Sequence, residues 1–138
     1  LDRSAAKSPA EERAIYGQMF LADYFLMSAN AITLDGELIS IDCRGNRVAA
    51  LCYGPEHVLV LAGMNKLVTD VPSGVQRARN MAAPPNAVRL SRNTPCAVTG
   101  RCADCSADDC ICCQLVVTRR SAVPGRIHVL LIGEELGY

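Results

Sequence analysis

His57-Val58-Leu59-Val60-Leu61-Ala62 is the apolar run expected of a strand buried on both faces of a parallel sheet. The helix expected before it runs from Arg47 to about Tyr53. Gly45-Asn46 supplies a turn and an N-cap for that helix, and Gly54-Pro55 stops it. Further back, Ala22 to Ala31 reads as a second buried strand. Asp35-Gly36 then makes a hairpin turn into the short strand Glu37 to Ile41. Ser8-Pro9-Ala10-Glu11 opens the first helix, with a serine N-cap, proline in the first turn and glutamate placed for a capping box. That helix runs to about Leu21.

On the other side of the central run, Asp70 and Pro72 open a helix that places Val71, Val75, Ala78 and Ala82 on one face. Pro84-Pro85 is expected to close it. A cysteine-rich loop spans residues 94–113. Two strands follow, Gln114 to Thr118 and Ile127 to Ile132, joined around Pro124-Gly125. Strand, helix, strand, helix, strand is the pattern of an α/β fold with an open, mostly parallel sheet. At 138 residues the chain suits a single domain, 1–138, large enough to bury a core.

Bulk properties exclude several functions. Fourteen basic and fourteen acidic residues leave no net charge, hence no electrostatic footprint for nucleic acid or an anionic membrane. The apolar stretch Val58 to Met64 is too short to span a bilayer, and the start, Leu1-Asp2-Arg3-Ser4, has no secretory pattern. A cytoplasmic location is the expectation. With no initiator methionine, the chain reads as part of something longer.

Topology alone places a candidate ligand site. If strands 22–31 and 57–62 are parallel, the helix at 47–53 is their crossover, and its amino end lies at the carboxyl edge of the first strand. Ser28, Asn30, Gly45, Asn46 and Arg47 gather there, joined by Gly63, Asn65 and Lys66 from the end of the next strand. Open α/β sheets bind ligands at this edge, and a helix amino end there favours anions. Arg47 and Lys66 suit a carboxylate or phosphate. Two plainer readings stand beside this one. Asn30 and Asn46 can serve turn and cap geometry, and Asp42 can pair with Arg47 and leave little charge for a ligand.

Six of eight cysteines crowd into 18 residues, as Cys96-x5-Cys102-x2-Cys105-x4-Cys110-x-Cys112-Cys113. Cys102-Ala103-Asp104-Cys105 is the local geometry that lets two thiolates share a metal. Any two of the other four would complete a four-thiolate site for zinc or an iron–sulfur cluster, between which softness does not choose. Free thiols, a redox switch or an oxidisable pair are the alternatives. Cys43 and Cys52 read as small core or turn residues. His57 and His128 fall on strands, where packing is commoner than base catalysis. Arg89, Arg92 and Arg101 flank the loop, but few aromatics and balanced charge argue against a zinc-dependent nucleic-acid module.

Asp23-Tyr24-Phe25-Leu26-Met27-Ser28-Ala29-Asn30-Ala31-Ile32-Thr33, Asp35-Gly36-Glu37-Leu38 and Gly45-Asn46-Arg47 together resemble the lactate-utilisation (LUD) domain family. Gly63-Met64-Asn65-Lys66, Thr94-Pro95-Cys96, Thr99-Gly100-Arg101-Cys102, Asp104-Cys105 and Pro124-Gly125-Arg126-Ile127-His128 continue the likeness over nearly the whole chain. The resemblance implies a fold of the ribose-5-phosphate isomerase, glucosamine-6-phosphate deaminase and CoA transferase kind. It also implies that this chain is the C-terminal portion of a longer LUD domain.

By the same resemblance, Asn30, Asp35, Gly36, Asp42, Gly45, Asn46, Arg47, Asn65 and Lys66 fall on the family's shared loops. Cys96, Cys102, Cys105 and Cys112 fall on its recurrent cysteine positions, with Cys110 and Cys113 as extras. The implied function is an accessory or ligand-binding component of bacterial lactate or organic-acid utilisation, with zinc or an iron–sulfur cluster on the loop. The alternative is an isomerase- or CoA-transferase-like enzyme acting on a phosphorylated or CoA-linked acid. That enzyme would draw its carboxylate from Asp35, Glu37 or Asp42. Expected partners are a small anionic ligand, iron–sulfur and oxidoreductase proteins, and a further copy of the chain, with no nucleic acid and no membrane.

Overall fold

Two small sheets, meeting where one expected strand breaks, organise the chain. The computed structural model describes residues 1–138, the side chain of Arg3 aside. Helix α1 (Pro9–Met19) starts at Ser8, whose Oγ accepts from the Glu11 amide at 3.2 Å. The stretch 22–31 is then two strands, not one. Strand β1 (Tyr24–Met27) pairs in parallel with β4 (His57–Gly63), which pairs in parallel with β7 (Ile127–Ile132). Strand β2 (Ala31–Thr33) leaves for a second sheet, ordered β5 (Leu67–Val68), β2, β3 (Leu38–Asp42), β6 (Gln114–Thr118). Three of the five strand pairings are parallel, so the sheets are mostly parallel, and the order β1-β4-β7 is open.

The break at Ser28–Asn30 frees backbone groups that the ladder would have paired. Asn30 Oδ1 accepts from the Ile41 amide at 2.7 Å, and the Asn30 carbonyl accepts from Arg77. Gln114–Thr118 and Ile127–Ile132 form where expected but lie in different sheets, so the Pro124-Gly125 connection is a crossing between sheets and not a hairpin.

Helix α2 (Asn46–Cys52) and the inner sides of both sheets enclose the main core, in which Leu51, Val58, Val60 and Ala62 are essentially inaccessible. Strand β4 is not buried on both faces. Val58, Val60 and Ala62 face the core, whereas on the opposite face Leu61 is 36% exposed. On that face register aligns Tyr24 with His57, Leu26 with Leu59, and Leu61 with Leu130. The His57 ring stacks on Tyr24 at 4.9 Å and lies 6.1 Å from that of His128.

Pro84-Pro85 does not close the third helix. Helix α3 (Val71–Arg77), capped by Asp70 Oδ1 on the Ser73 amide at 2.8 Å, passes into a π turn (Ala78–Ala82) and on into α4 (Ala83–Arg89). In the π turn the Ala83 amide reaches back to the Ala78 carbonyl. The prolines therefore enter as the second and third residues of a new helical segment, where a missing N–H is tolerated. A short helix α5 (Pro95–Thr99), ended by Gly100 at φ +72°, begins the cysteine loop.

Arg126 ties β7 to α2. Its guanidinium donates to the carbonyls of Pro55 at 3.0 Å, Leu51 at 2.6 Å and Ala50 at 2.8 Å, which gives the end of that helix and the turn after it three partners. Arg126→Ala is expected to cost about 2–4 kcal/mol by leaving these acceptors unpaired. Urea unfolding measures this, and a loss below about 0.5 kcal/mol would show that water replaces the guanidinium.

Candidate functional sites at the sheet edge and the cysteine loop

The parallel pairing of β1 with β4 brings the ends of both strands together. Ser28 follows β1, and Lys66 lies in the 3-10 turn after β4. Lys66 Nζ donates to Ser28 Oγ at 2.9 Å, although Lys66 is only 5% exposed. Among the described residues no carboxylate forms a salt bridge with it. Burial pulls its pKa below the usual lysine value, and the positive charges of Arg77 and Arg47 pull in the same direction.

Arg77, also buried, donates Nε to the Asn65 carbonyl at 2.9 Å and Nη1 to the Asn30 carbonyl, and among the described residues no carboxylate forms a salt bridge with it. Burial lowers its pKa too. Arg77 was not among the residues expected at this edge. It is the last residue of α3 and turns inward to carbonyls on either side of this corner.

Asn65 holds a strap across the same corner. Its Oδ1 accepts from the Leu136 amide at 3.2 Å and its Nδ2 donates to the Gly137 carbonyl at 3.2 Å. The Met64 amide donates to the Glu134 carbonyl. Gly63 allows this approach, since a Cβ there would meet Leu136 N at 2.4 Å and Glu134 O at 2.5 Å.

Asp42 takes up the amino end of α2. Its Oδ2 accepts from the amides of Arg47 at 2.9 Å and Val48 at 3.2 Å, and its Oδ1 from the Cys43 amide at 3.0 Å. The Arg47 guanidinium donates to the Ile41 carbonyl at 2.8 Å and lies 3.5 Å from Asp42 Oδ1. The first amides of that helix are thus already bonded within the chain, and Arg47 is partly neutralised. Gly45, at φ +78°, makes the turn, and Asn46 starts the helix, with no side-chain cap bond from Gly45. Ser28, Asn65, Lys66 and the unexpected Arg77 form one cluster; Asp42, Gly45, Asn46 and Arg47 form a neighbouring structural one.

In the cysteine loop, Cys96, Cys102, Cys105, Cys110 and Cys112 line a single cavity of about 50 Å³, with Arg79 and Asp104 also on its wall. The last two are ion-paired at 2.9 Å. Amides point at sulfur: Asp104 N lies 3.4 Å from Cys102 Sγ, and Cys112 N lies 3.3 Å from Cys110 Sγ. Asp104 sits at φ +49°, a conformation uncommon outside glycine, which tightens the turn between Cys102 and Cys105. Asn80 Oδ1, from the π turn, accepts from the Cys102 amide at 3.3 Å. Burial pushes the Cys112 thiol up to about 12, and the nearby thiols of Cys110, Cys102 and Cys96 act in the same sense.

All eight cysteines are free, and among the described residues no group of three or more His, Cys, Asp or Glu stands in metal-holding geometry. Cys113 lies outside the cavity, as does Cys43. Cys52 is exposed at the end of α2, the turn rather than the core position of the two its sequence allows. Among the described residues no helix is long and apolar enough to cross a membrane.

No curated protein matches the chain. A crystal structure of a DUF162 family protein from Deinococcus radiodurans is similar over 86% of this chain and 58% of its own length. The identity is 21% and the TM-score 0.47, so the chain spans little more than half of that relative. A family model for the LUD domain matches residues 1–132. With nearly its whole length matched, the chain belongs to the LUD domain family.

Proposed function

We propose that the chain is a ligand-binding component of bacterial lactate or related organic-acid utilisation, holding a small carboxylate or phosphate at Lys66. The observation that carries this reading is a buried ammonium with a hydroxyl at 2.9 Å and, among the described residues, no carboxylate in a salt bridge with it. A buried unpaired charge is costly, and an incoming anion would offset that cost. Arg77 adds positive potential from the helix behind, and Ser28 offers a hydroxyl to an anionic oxygen.

The enzyme alternative has less support. Asp42 is committed to backbone amides, Glu37 bonds to Thr33 and lies 3.6 Å from Arg119, and Asp35 sits exposed at the hairpin tip. A general base would have to come from elsewhere.

The cysteine loop fits a soft metal by its donor set, with Cys96, Cys102, Cys105 and Cys112 as the residues that would hold it. The thiolate set suits zinc and an iron–sulfur cluster alike. Bound there, the metal would cross-link α5 to the start of β6, a structural role on a domain whose ligand site lies elsewhere.

Thermal melting of the full chain with lactate, inorganic phosphate or a CoA ester tests the edge site. A saturable rise in Tm with at least one of them is expected, and no rise with any would overturn the reading. Metal analysis after anaerobic purification bears on the loop separately. Bound zinc or iron is expected, lost in the Cys102→Ser, Cys105→Ser double variant, and the absence of both metals would sink the assignment.

A further inference from the structure

We infer that Cys43 and Cys113 are a cross-strand thiol pair that a low-molecular-weight disulfide converts into an intramolecular disulfide, a modification site separate from the metal-holding cysteines. Strands β3 and β6 are antiparallel, and their last paired residues are Asp42 and Gln114. One step further along that register, Cys43 stands opposite Cys113. Directly opposed residues of an antiparallel pair have Cα atoms roughly 4.5–5.5 Å apart, inside the range a disulfide spans.

The side chains agree with the register. Both thiols converge on one acceptor, the Cys110 carbonyl, at 3.8 Å for Cys43 Sγ and 3.5 Å for Cys113 Sγ. Neither sulfur lines the cavity shared by the other five loop cysteines. Cys113 is exposed and Cys43 half-buried, which sets the order of events.

The Cys113 sulfur attacks one sulfur of the small disulfide, forming a mixed disulfide and releasing one small thiol. The Cys43 sulfur then attacks the Cys113 sulfur and releases the second. Two protein S–H groups are oxidised, one small disulfide is reduced, and the two protons end on the two released thiols. The new bond clamps the end of the β3–β6 ladder beside Asp42 and closes a loop of about 70 residues, so the oxidised chain should melt several degrees higher.

The test is incubation of the full chain with oxidised glutathione, with and without zinc, followed by alkylation and peptide mass mapping. A Cys43–Cys113 cross-linked peptide that dithiothreitol removes is expected, together with a Tm rise of roughly 5–15 °C. Cys43→Ser should stop the reaction at a glutathione adduct on Cys113, and Cys113→Ser should give neither product, both variants melting near the reduced parent. Cross-links dominated by Cys110 or Cys112, or no cross-link in chain that melts normally, would overturn the pairing. Protection of Cys43 and Cys113 by zinc would overturn their separation from the metal site.

Discussion

Asp42→Ala should lower the stability of the chain by about 2–4 kcal/mol, because one carboxylate caps two amides at the amino end of α2 and a third before it. Asp42 is 5% exposed, and its two oxygens accept from three amides, those of Cys43, Arg47 and Val48. Alanine leaves the Arg47 and Val48 amides without a partner at a helix end whose cap residue, Gly45, offers no side chain. The Arg47 guanidinium loses its counter-charge as well. Asp42→Asn keeps acceptor oxygen on one arm and should cost about 1 kcal/mol.

Urea unfolding of the three proteins measures both differences. Equal stability of Asp42→Ala and the parent would mean that water caps the helix as well as the carboxylate does. Anion-dependent stabilisation supplies a second reading on the same proteins. If Asp42 is a capping residue, that stabilisation persists in a variant that remains folded. If Asp42 touches ligand, it disappears.

Lys66→Met is expected to act in opposite directions on stability and binding. Without ligand, the parent carries the cost of keeping an ammonium away from water beside two arginines, and methionine fills a similar volume without that cost. The variant should gain about 1 kcal/mol in the absence of anions and melt higher. Its affinity for phosphate or a carboxylic acid should fall at least tenfold, a loss of about 1.4 kcal/mol.

The pH dependence carries the same signature. The Lys66 pKa is lower in the folded chain than the ordinary 10.5, so between the two values the unfolded chain binds more protons. Lys66 therefore makes the parent gain stability as pH rises through that window, and the penalty is full below the folded value. Lys66→Met should lack this contribution, so the stability difference between the two proteins narrows as pH approaches 10.5. A variant less stable than the parent at neutral pH, with its anion response intact, would show that Lys66 is a packing residue.

How far the residues alone led differs between the two sites. Ser28 and Lys66 were assigned to one sheet edge because two strand ends in a parallel pair must lie together, and they are in hydrogen-bond contact. Periodicity and connection rules suffice to bring these two residues together. Arg77 escaped them because an arginine in a helix reads as solvated. Its guanidinium bonds carbonyls of Asn30 and Asn65, distant in sequence, and nothing in residues 28–30 announces the strand break that exposes the first.

Asp42 was visible both as a ligand residue and as a partner for Arg47. Choosing between these requires the distance to the Val48 amide, which no spacing rule supplies. Five of the six crowded loop cysteines share a wall, and Cys113 does not. The pairing of Cys43 with Cys113 needed the β3–β6 register, which residues so distant in sequence do not reveal. Pro84-Pro85 misled for a definite reason: the rule that proline ends a helix assumes an unbroken α-helical ladder. Leu61 misled likewise, since an apolar run shows what could be buried and not what covers it.

The π turn at Ala78–Ala82 is equivalent to one residue inserted into an otherwise continuous helix. Its length is therefore a coded property of the chain, as much as any side chain. Deleting a single residue there would restore an ordinary helix and rotate α3 relative to α4 by about 100°. Asn80 and Arg79 would no longer both face Cys102 and Asp104, and the Pro84 ring would meet the carbonyl one turn back. Between Asp70 and Cys102, a relative can thus exchange many side chains more safely than it can change its residue count.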